Sequence, residues 1–281
     1  MRKAKILVFA AAFLLLLVLA YGHFIEPGWI RVRKTEVRIA SGQAPAFTLT
    51  VAHLTDFHLS PAVSLDYLRG VFRETAAQRP DIICLTGDYI SKRMSRKAEY
   101  IDALKILTSA APTFACPGNH DGGAWAIKMG GYPDLGEIKS VLSQAHVVYL
   151  ENASTALTLR GHRILVGGLG DIWAGRCEPE SLRAVFDSTQ ADLKIILTHN
   201  PDSKSETRNL KWDLLLAGHT HGGQLYLPWI GAPFAPIVDK HFLNGLYEYA
   251  GGKIYVSPGV GNLHGMRINC RPEISILEIR K

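Results

Sequence analysis

The sequence predicts an α/β sandwich built on mixed sheets and preceded by a single membrane-spanning helix. Three observations predict it. Short apolar runs alternate with longer amphipathic stretches from Phe47 onward, residues 242–279 are mostly short strands, and the chain opens on a long apolar run. The 281 residues suffice for one large domain or two small ones with a sizeable core. With 47% hydrophobic and 20% charged residues, the chain is neither disordered nor of low complexity.

The apolar run comes first. Arg2, Lys3 and Lys5 precede a stretch from Ile6 to Ile25 in which His23 is the one side chain that ionises near neutrality. Its length suits a helix crossing a bilayer, which takes about 20 residues. The run ends in Tyr21, His23, Phe24 and Trp29, residues of a membrane interface rather than of a small-x-small cleavage site. A retained anchor over residues 1–28 is therefore expected in preference to a cleaved signal peptide. Basic residues lie on both sides of it, with Arg31, Arg33, Lys34 and Arg38 following, so orientation stays open. Residues 29–46 read as a polar connector ending in "SGQAP", and 47–281 as the soluble domain.

Within that domain "FTLTVAHLTD" is strand-like, and Leu65, Leu68, Val71 and Phe72 give 65–78 helical spacing. "DIICLTGD" is a second strand, Tyr100 to Leu107 a second helix, and "TFACPGNHD" closes a third strand. A hairpin-like pair follows at 155–160 and 163–169, then a helix near 179–187. The strands "LKIILTH", "DLLLAGH", "GKIYVS" and "EISILEI" complete the pattern, without internal repeats.

The informative feature is where polar residues fall. Asp56 with His58, Asp88, Asn119 with His120, His199, and His219 with His221 each follow directly on an apolar strand. Strand ends of α/β folds converge on one edge of the sheet, where such folds place ligands. Two carboxylates, one amide and four imidazoles (His120 aside) exceed what one ion uses beside water. They suit two divalent ions about 3.5–4 Å apart, the clamp used in phosphoryl transfer. Nitrogen and oxygen donors without thiolate favour Mn²⁺, Fe or Zn²⁺ over Mg²⁺ or Ca²⁺. Gly87, Gly118 and Gly218 precede these groups, where the backbone must turn sharply near the ions.

The ordered blocks "DFH", "GDY", "GNHD", "TH" at 198–199 and "GHTH" resemble the calcineurin-like metallophosphoesterase superfamily over residues 50–222. Over a wider span, "EPGW", "APTFACPGNHD", "GDIWAG", "HNPDSK", "WDLLLAGHTHGGQL" and "NCRPE" resemble the bacterial YaeI/YkuE-type phosphodiesterase group. That group is related to membrane-associated hydrolases of UDP-2,3-diacylglucosamine in lipid A synthesis. The resemblance implies a metallophosphoesterase-type αββα sandwich and a phosphodiesterase or pyrophosphatase that uses two divalent ions, Mn foremost with Fe or Zn as alternatives. It implies that Asp56, His58 and His221 hold one ion, that Asp88 bridges, and that Asn119, His199 and His219 complete the shell of the second ion. A hydroxide held between the ions then attacks phosphorus in line, and His120 stabilises charge and protonates the leaving oxygen. Asp121 is expected to order the loop. Implied partners are a phosphate-containing lipid or nucleotide substrate and, through the N-terminal helix, the bacterial cytoplasmic membrane, with the side of the domain open.

The remaining signals weigh less. Phosphoprotein phosphatases of the superfamily carry "GDYVDRG" where this chain reads "GDYISKR", so the expected phosphate-gripping arginine is absent. The net charge of +6 suits anionic company but accompanies no nucleic-acid reader motif, and no nucleic acid is expected. Cys84, Cys116, Cys177 and Cys270 lack the spacing of a zinc ribbon or disulfide framework. His53, inside a strand pattern, reads as packed or solvent-facing rather than as a ligand. His264 and Arg267 are candidates to line the substrate pocket, with a surface loop as the alternative. Lys92, Arg93, Arg96 and Lys97 read as a phosphate or membrane contact or as a solvated loop. Asp171, Trp173 and Arg176 are candidates for a loop over the crevice. The alternatives to a phosphodiesterase are a non-catalytic metal-binding scaffold and a phosphomonoesterase.

Overall fold

The structure, a computed structural model, describes residues 1–39, 46–263 and 265–281. "SGQAP" and His264 lie outside the described residues. Helix α1 (Arg2–Phe24) is the N-terminal apolar run, long and apolar enough to cross a membrane. The strands that follow are β1 (Arg31–Arg38), β2 (Thr48–Leu54), β3 (Ile82–Thr86), β4 (Thr113–Cys116) and β5 (Val148–Tyr149). The second half contributes β6 (Ala153–Leu159), β7 (His162–Gly168), β8 (Leu193–Leu197), β9 (Leu214–Ala217), β10 (Gly245–Tyr249), β11 (Gly252–Val256) and β12 (Glu273–Arg280). Between them lie α2 (Leu65–Ala77), α3 (Lys97–Thr108), α4 (Ala124–Lys128), α5 (Gly136–Gln144) and α6 (Glu180–Ser188).

Two six-stranded sheets form, ordered β1-β12-β2-β3-β4-β5 and β10-β11-β9-β8-β7-β6. Each is mixed: β2 to β5 run parallel and β12 antiparallel to β2, while β11, β9, β8 and β7 run parallel between antiparallel β10 and β6. Strand parity explains the layers. Val51, Ile82, Cys84 and Phe114 of the first sheet meet Val166, Ile195, Leu197, Leu214 and Leu216 of the second in one core between the sheets. Their neighbours Ala52, Leu54, Ile83 and Leu85 point outward against Leu68, Phe72, Tyr100, Leu104 and Ile138 of α2, α3 and α5. On the far side Leu165, Ile196 and Leu215 pack against Leu182 and Phe186 of α6. Strands covered on both faces read as continuous apolar runs, which is why these were visible in the sequence. The result is the expected αββα sandwich.

Residues 29–46, expected as a polar connector, contain β1. It pairs in parallel with β12 from Arg31↔Glu273 to Arg38↔Arg280. Its mixed composition disguised it: as an edge strand it exposes much of its length, and only Val37 is fully covered. The end of α1 is also tied down. The Gly22 carbonyl accepts the Arg267 amide at 2.8 Å. The buried Glu26 carboxylate accepts the amides of Asn269 (3.0 Å) and Cys270, and the Arg271 guanidinium stacks 3.9 Å from the Trp29 ring. "EPGW" and "NCRPE" are thus two halves of one contact.

Candidate metal centre

All five polar clusters lie just past the C-terminal ends of parallel strands: β2, β3 and β4 in one sheet, β8 and β9 in the other. Packing the sheets face to face brings those ends together. Asp56, His58, Asp88, Asn119, His199, His219 and His221 are all buried. Two groups of candidate ligands result, Asp56–His58–His221 and Asp88–His199–His219.

The donor atoms face one another. In the first group His58 Nε2 and His221 Nε2 are 3.1 Å apart, and Asp56 Oδ1 is 3.3 Å from His221 Nε2 and 3.7 Å from His58 Nε2. In the second, His199 Nε2 lies 3.1 Å from His219 Nδ1 and 3.2 Å from Asp88 Oδ2. Asp88 Oδ2 is also 3.5 Å from His58 Nε2, so one carboxylate oxygen adjoins both groups. A metal–ligand bond of about 2.1 Å spaces neighbouring donors roughly 3.0–3.4 Å apart in octahedral or tetrahedral shells. Four of the five separations within the groups, 3.1–3.3 Å, match that spacing, and Asp56 Oδ1 to His58 Nε2 is a little longer at 3.7 Å. Asp56 Oδ1 and Asn119 Oδ1 are buried without a hydrogen-bond partner among the described residues. Unpaired buried acceptors are costly, and a cation beside each removes the cost. The donor set therefore fits two divalent ions.

Second contacts fix the imidazoles. His199 Nδ1 is 2.7 Å from the Thr86 carbonyl and His219 Nε2 is 2.9 Å from the Pro236 carbonyl. A carbonyl only accepts, so both nitrogens carry hydrogens and the opposite ring nitrogens face the centre. Burial lowers His199, but the Asp88 carboxylate beside it raises its imidazole well above the ordinary value, and a bound cation would take the place of that extra proton. His58 Nδ1 meets Ser91 Oγ at 2.9 Å, leaving Nε2 for the centre. Burial holds the His219 imidazole down to about 3 and His221 well below its ordinary value, which keeps both neutral as ligands must be. Burial pushes the Asp56 and Asp88 carboxyls up, but the surrounding histidines, His221 first for Asp56 and His199 first for Asp88, more than reverse this. Both stay ionised.

The backbone is strained here. Asp56 (φ 56°), His58 (48°), Asp88 (56°), His219 (66°) and His221 (49°) all adopt left-handed conformations. Each costs a non-glycine residue roughly 1–2 kcal/mol, and such strain clusters at functional sites. Two glycines make room for the turns. A Cβ on Gly118 would collide with the Asp88 carboxylate and amide, and one on Gly218 with Thr55 Oγ1 and Asp56 Oδ2. Gly218→Ala is accordingly expected to lower stability by about 1–3 kcal/mol and to displace Asp56. A thermal melt alongside metal analysis checks both effects.

Other residues sort as follows. Asp121 orders the loop: its carboxylate accepts the amides of Gly118 (2.8 Å), Asp88 (2.9 Å) and Tyr89 (2.8 Å). Asp88 Oδ1 in turn accepts the His120 amide at 2.9 Å. His53 is buried against Thr86 Oγ1 at 2.8 Å, outside both ligand groups. Arg267 does not line the pocket. It is fully buried, donates to the carbonyls of Pro258, Gly261 and Cys270, and sits 3.3 Å from His221 Nδ1. The basic run is a surface feature: Arg93 stacks near Tyr132, Arg96 pairs with Glu99 and Lys97 with Glu137. Of the 171–176 loop only Trp173 reaches the crevice, its ring edge-on to His219 with centroids 4.3 Å apart. Asp171 is buried, which pushes its carboxyl up to about 6, and Arg176 turns to Glu151 at 2.9 Å.

Sequence reasoning missed Trp125. Its indole Nε1–H donates to His120 Nε2 at 3.2 Å, and its ring meets Trp173 edge-on. No periodicity announces it, since α4 is a five-residue helix. The centre opens into a cavity of about 620 Å³. Asp88, Asn119, His120, His219 and His221 form its polar end, and Trp125, Met129, Trp173, Phe234, Leu263 and Met266 are among its apolar walls.

Comparison with known proteins agrees with this geometry. Residues 49–223 match the calcineurin-like phosphoesterase family. The Escherichia coli phosphodiesterase YaeI is 38% identical, the match covering 92% of this chain and 92% of that protein. The UDP-2,3-diacylglucosamine pyrophosphatase LpxG of Chlamydia muridarum is 24% identical, covering 92% of this chain and 91% of that protein. Among solved structures, Haemophilus influenzae NAD nucleotidase (NadN) aligns with a TM-score of 0.52 at 13% identity, over 78% of this chain and 46% of that one, a likeness of fold. With the family matched across most of the domain and the two ligand groups assembled at its strand ends, the chain belongs to the calcineurin-like phosphoesterases and is a metal-dependent phosphoesterase.

Proposed function

We propose that the protein hydrolyses a phosphodiester or pyrophosphate bond in a lipid- or nucleotide-linked substrate at a bacterial cytoplasmic membrane, into which α1 anchors it. The observation that carries this reading is one cavity whose lining joins two chemistries. Asp88, Asn119, His219 and His221 of the candidate centre line it together with tryptophan, methionine, phenylalanine and leucine. A phosphate on a hydrocarbon-bearing molecule fits both at once. Likeness to YaeI and LpxG supports the same class and makes UDP-2,3-diacylglucosamine the leading specific substrate.

In this reading Asp56, His58 and His221 hold one ion, Asn119, His199 and His219 the other, and Asp88 both. Two divalent ions, Mn²⁺ foremost, supply charge neutralisation and a water acidified to reactivity near neutral pH. His120 acts on the leaving group. It lies at the cavity's polar end, is not among the ligand groups, and its buried Nδ1 has no partner among the described residues. Because Nε2 accepts from Trp125, the neutral ring carries its hydrogen on Nδ1, placed to hydrogen-bond a substrate oxygen and stabilise the charge developing there; a ring that gives that proton away must first take a second one on Nε2, in place of the Trp125 contact.

Trp125 is then a positioning residue. Trp125→Phe removes the donated proton and keeps most of the apolar wall. It is expected to lower kcat about 10-fold to 100-fold, the scale of losing an outer hydrogen-bond partner, with metal content unchanged. Unchanged kcat contradicts the role. Substrate identity is tested by incubating the full-length protein with UDP-2,3-diacylglucosamine and Mn²⁺ and analysing products by mass spectrometry. Release of UMP is the expected result. Its absence, with a generic diester still cleaved, removes that substrate and leaves the phosphodiesterase reading intact.

A further inference from the structure

The segment from Leu225 to Val238 contains no charged residue. It begins one residue after Gln224 and forms one wall of the crevice, with Leu225, Phe234 and Pro236 lining the cavity. Its outer side is bare. Reciprocal hydrogen bonds between Leu227 and Gly231, both 2.8 Å, close a tight turn that holds Trp229 and Ile230 at its tip. Trp229 and Val238 are 103% and 89% exposed, and Ile230 and Phe234 are also well exposed. Across the mouth, α4 leaves Trp125, Ile127 and Met129 exposed. Water-facing surfaces rarely gather large apolar side chains at one opening without a partner.

We propose that this tip is a second membrane contact, entering the interface of the bilayer that α1 crosses, so that the crevice opens directly onto the lipid surface. The connection to α1 identifies the partner. The base of the segment is hydrogen-bonded to the C-terminal loop, from the Tyr226 amide to the Ile268 carbonyl (2.9 Å) and from Asn269 Nδ2 to the Tyr226 carbonyl (3.1 Å). That same loop grips the end of α1 through Gly22 and Glu26. The tip therefore hangs from the point where the helix leaves the membrane. Its composition suits shallow insertion: tryptophan at the tip and isoleucine, phenylalanine and valine beside it, with Lys240 exposed two residues beyond Val238 for anionic headgroups. The segment also holds the centre, since the Pro236 carbonyl orients His219. Seating it on lipid brings the apolar walls of the cavity level with the acyl chains. The inference rests on α1 being an anchor, as proposed above, and is independent of which bond is cleaved.

The test uses full-length protein in vesicles of zwitterionic and anionic phospholipid. Ile230→Cys is labelled with an environment-sensitive fluorophore in a Cys177→Ser background, the other native cysteines being buried. Val238→Cys is the second reporter. The expected result is blue-shifted emission that is lost when lipids carry a nitroxide near the headgroup end of the acyl chain. Water-like emission indifferent to nitroxide overturns the proposal. Blue-shifted emission that nitroxide lipids leave unchanged also overturns it, in favour of contact between two copies of the chain. Turnover of bis-p-nitrophenyl phosphate with Mn²⁺ is read in the same vesicles. Turnover without quenching defeats the membrane contact alone, and quenching without turnover supports the contact while defeating the catalytic reading.

Discussion

Replacing Asp88 by alanine is expected to abolish turnover and metal loading together. Among the described residues Asp88 is the one carboxylate with an oxygen adjoining both ligand groups, 3.2 Å from His199 Nε2 and 3.5 Å from His58 Nε2. Its other oxygen accepts the His120 amide at 2.9 Å. Removing it takes a negative charge from between two cations, leaves their mutual repulsion unoffset, and frees the loop that carries His120. Loss of an outer hydrogen-bond partner of a metal site costs about 10-fold to 100-fold, and loss of a shared ligand should exceed that. Elemental analysis and initial rates on one preparation check the prediction. An Asp88→Ala protein that retains both ions and near-normal rates would show that the two groups do not share this residue.

His120→Ala should separate the two properties that Asp88→Ala removes together. His120 touches the cavity but belongs to neither ligand group. General acid catalysis contributes typically 10²–10⁴-fold, so a rate loss of about that size is expected with metal content unchanged. The loss should shrink for a diester whose leaving group needs no protonation, such as p-nitrophenolate, and grow for an alkoxide leaving group. Equal losses on both would assign His120 to charge stabilisation rather than proton transfer. Loss of metal with loss of rate would place it among the ligands instead.

Most of the architecture was legible because its strands are buried on both faces and end in chemistry. β2, β3, β4, β8 and β9 are mostly apolar runs, and each delivers its aspartate, asparagine or histidine two or three residues after its end. What stayed hidden depended on tertiary partners. β1 reads as a charged linker, "RVRKTEVR", and becomes a strand only because β12 offers it an edge. Trp125 comes from a five-residue helix, where no period marks it. Arg267 looked like a pocket residue on a glycine-rich tail. Instead its guanidinium is wrapped by carbonyls and linked through the backbone to α1, a placement that local sequence does not encode. The left-handed backbones at Asp56, His58, Asp88, His219 and His221 were equally silent, since glycine is the usual signal for that conformation.

The central claim is a two-ion centre that does the chemistry, and a titration tests it most directly. Full-length protein stripped by chelator is titrated with Mn²⁺ while bound metal and bis-p-nitrophenyl phosphate turnover are followed together. The account predicts saturation at two ions per chain, with turnover appearing as the second ion binds. Full turnover in the chelated protein, or at a single bound ion, would contradict it.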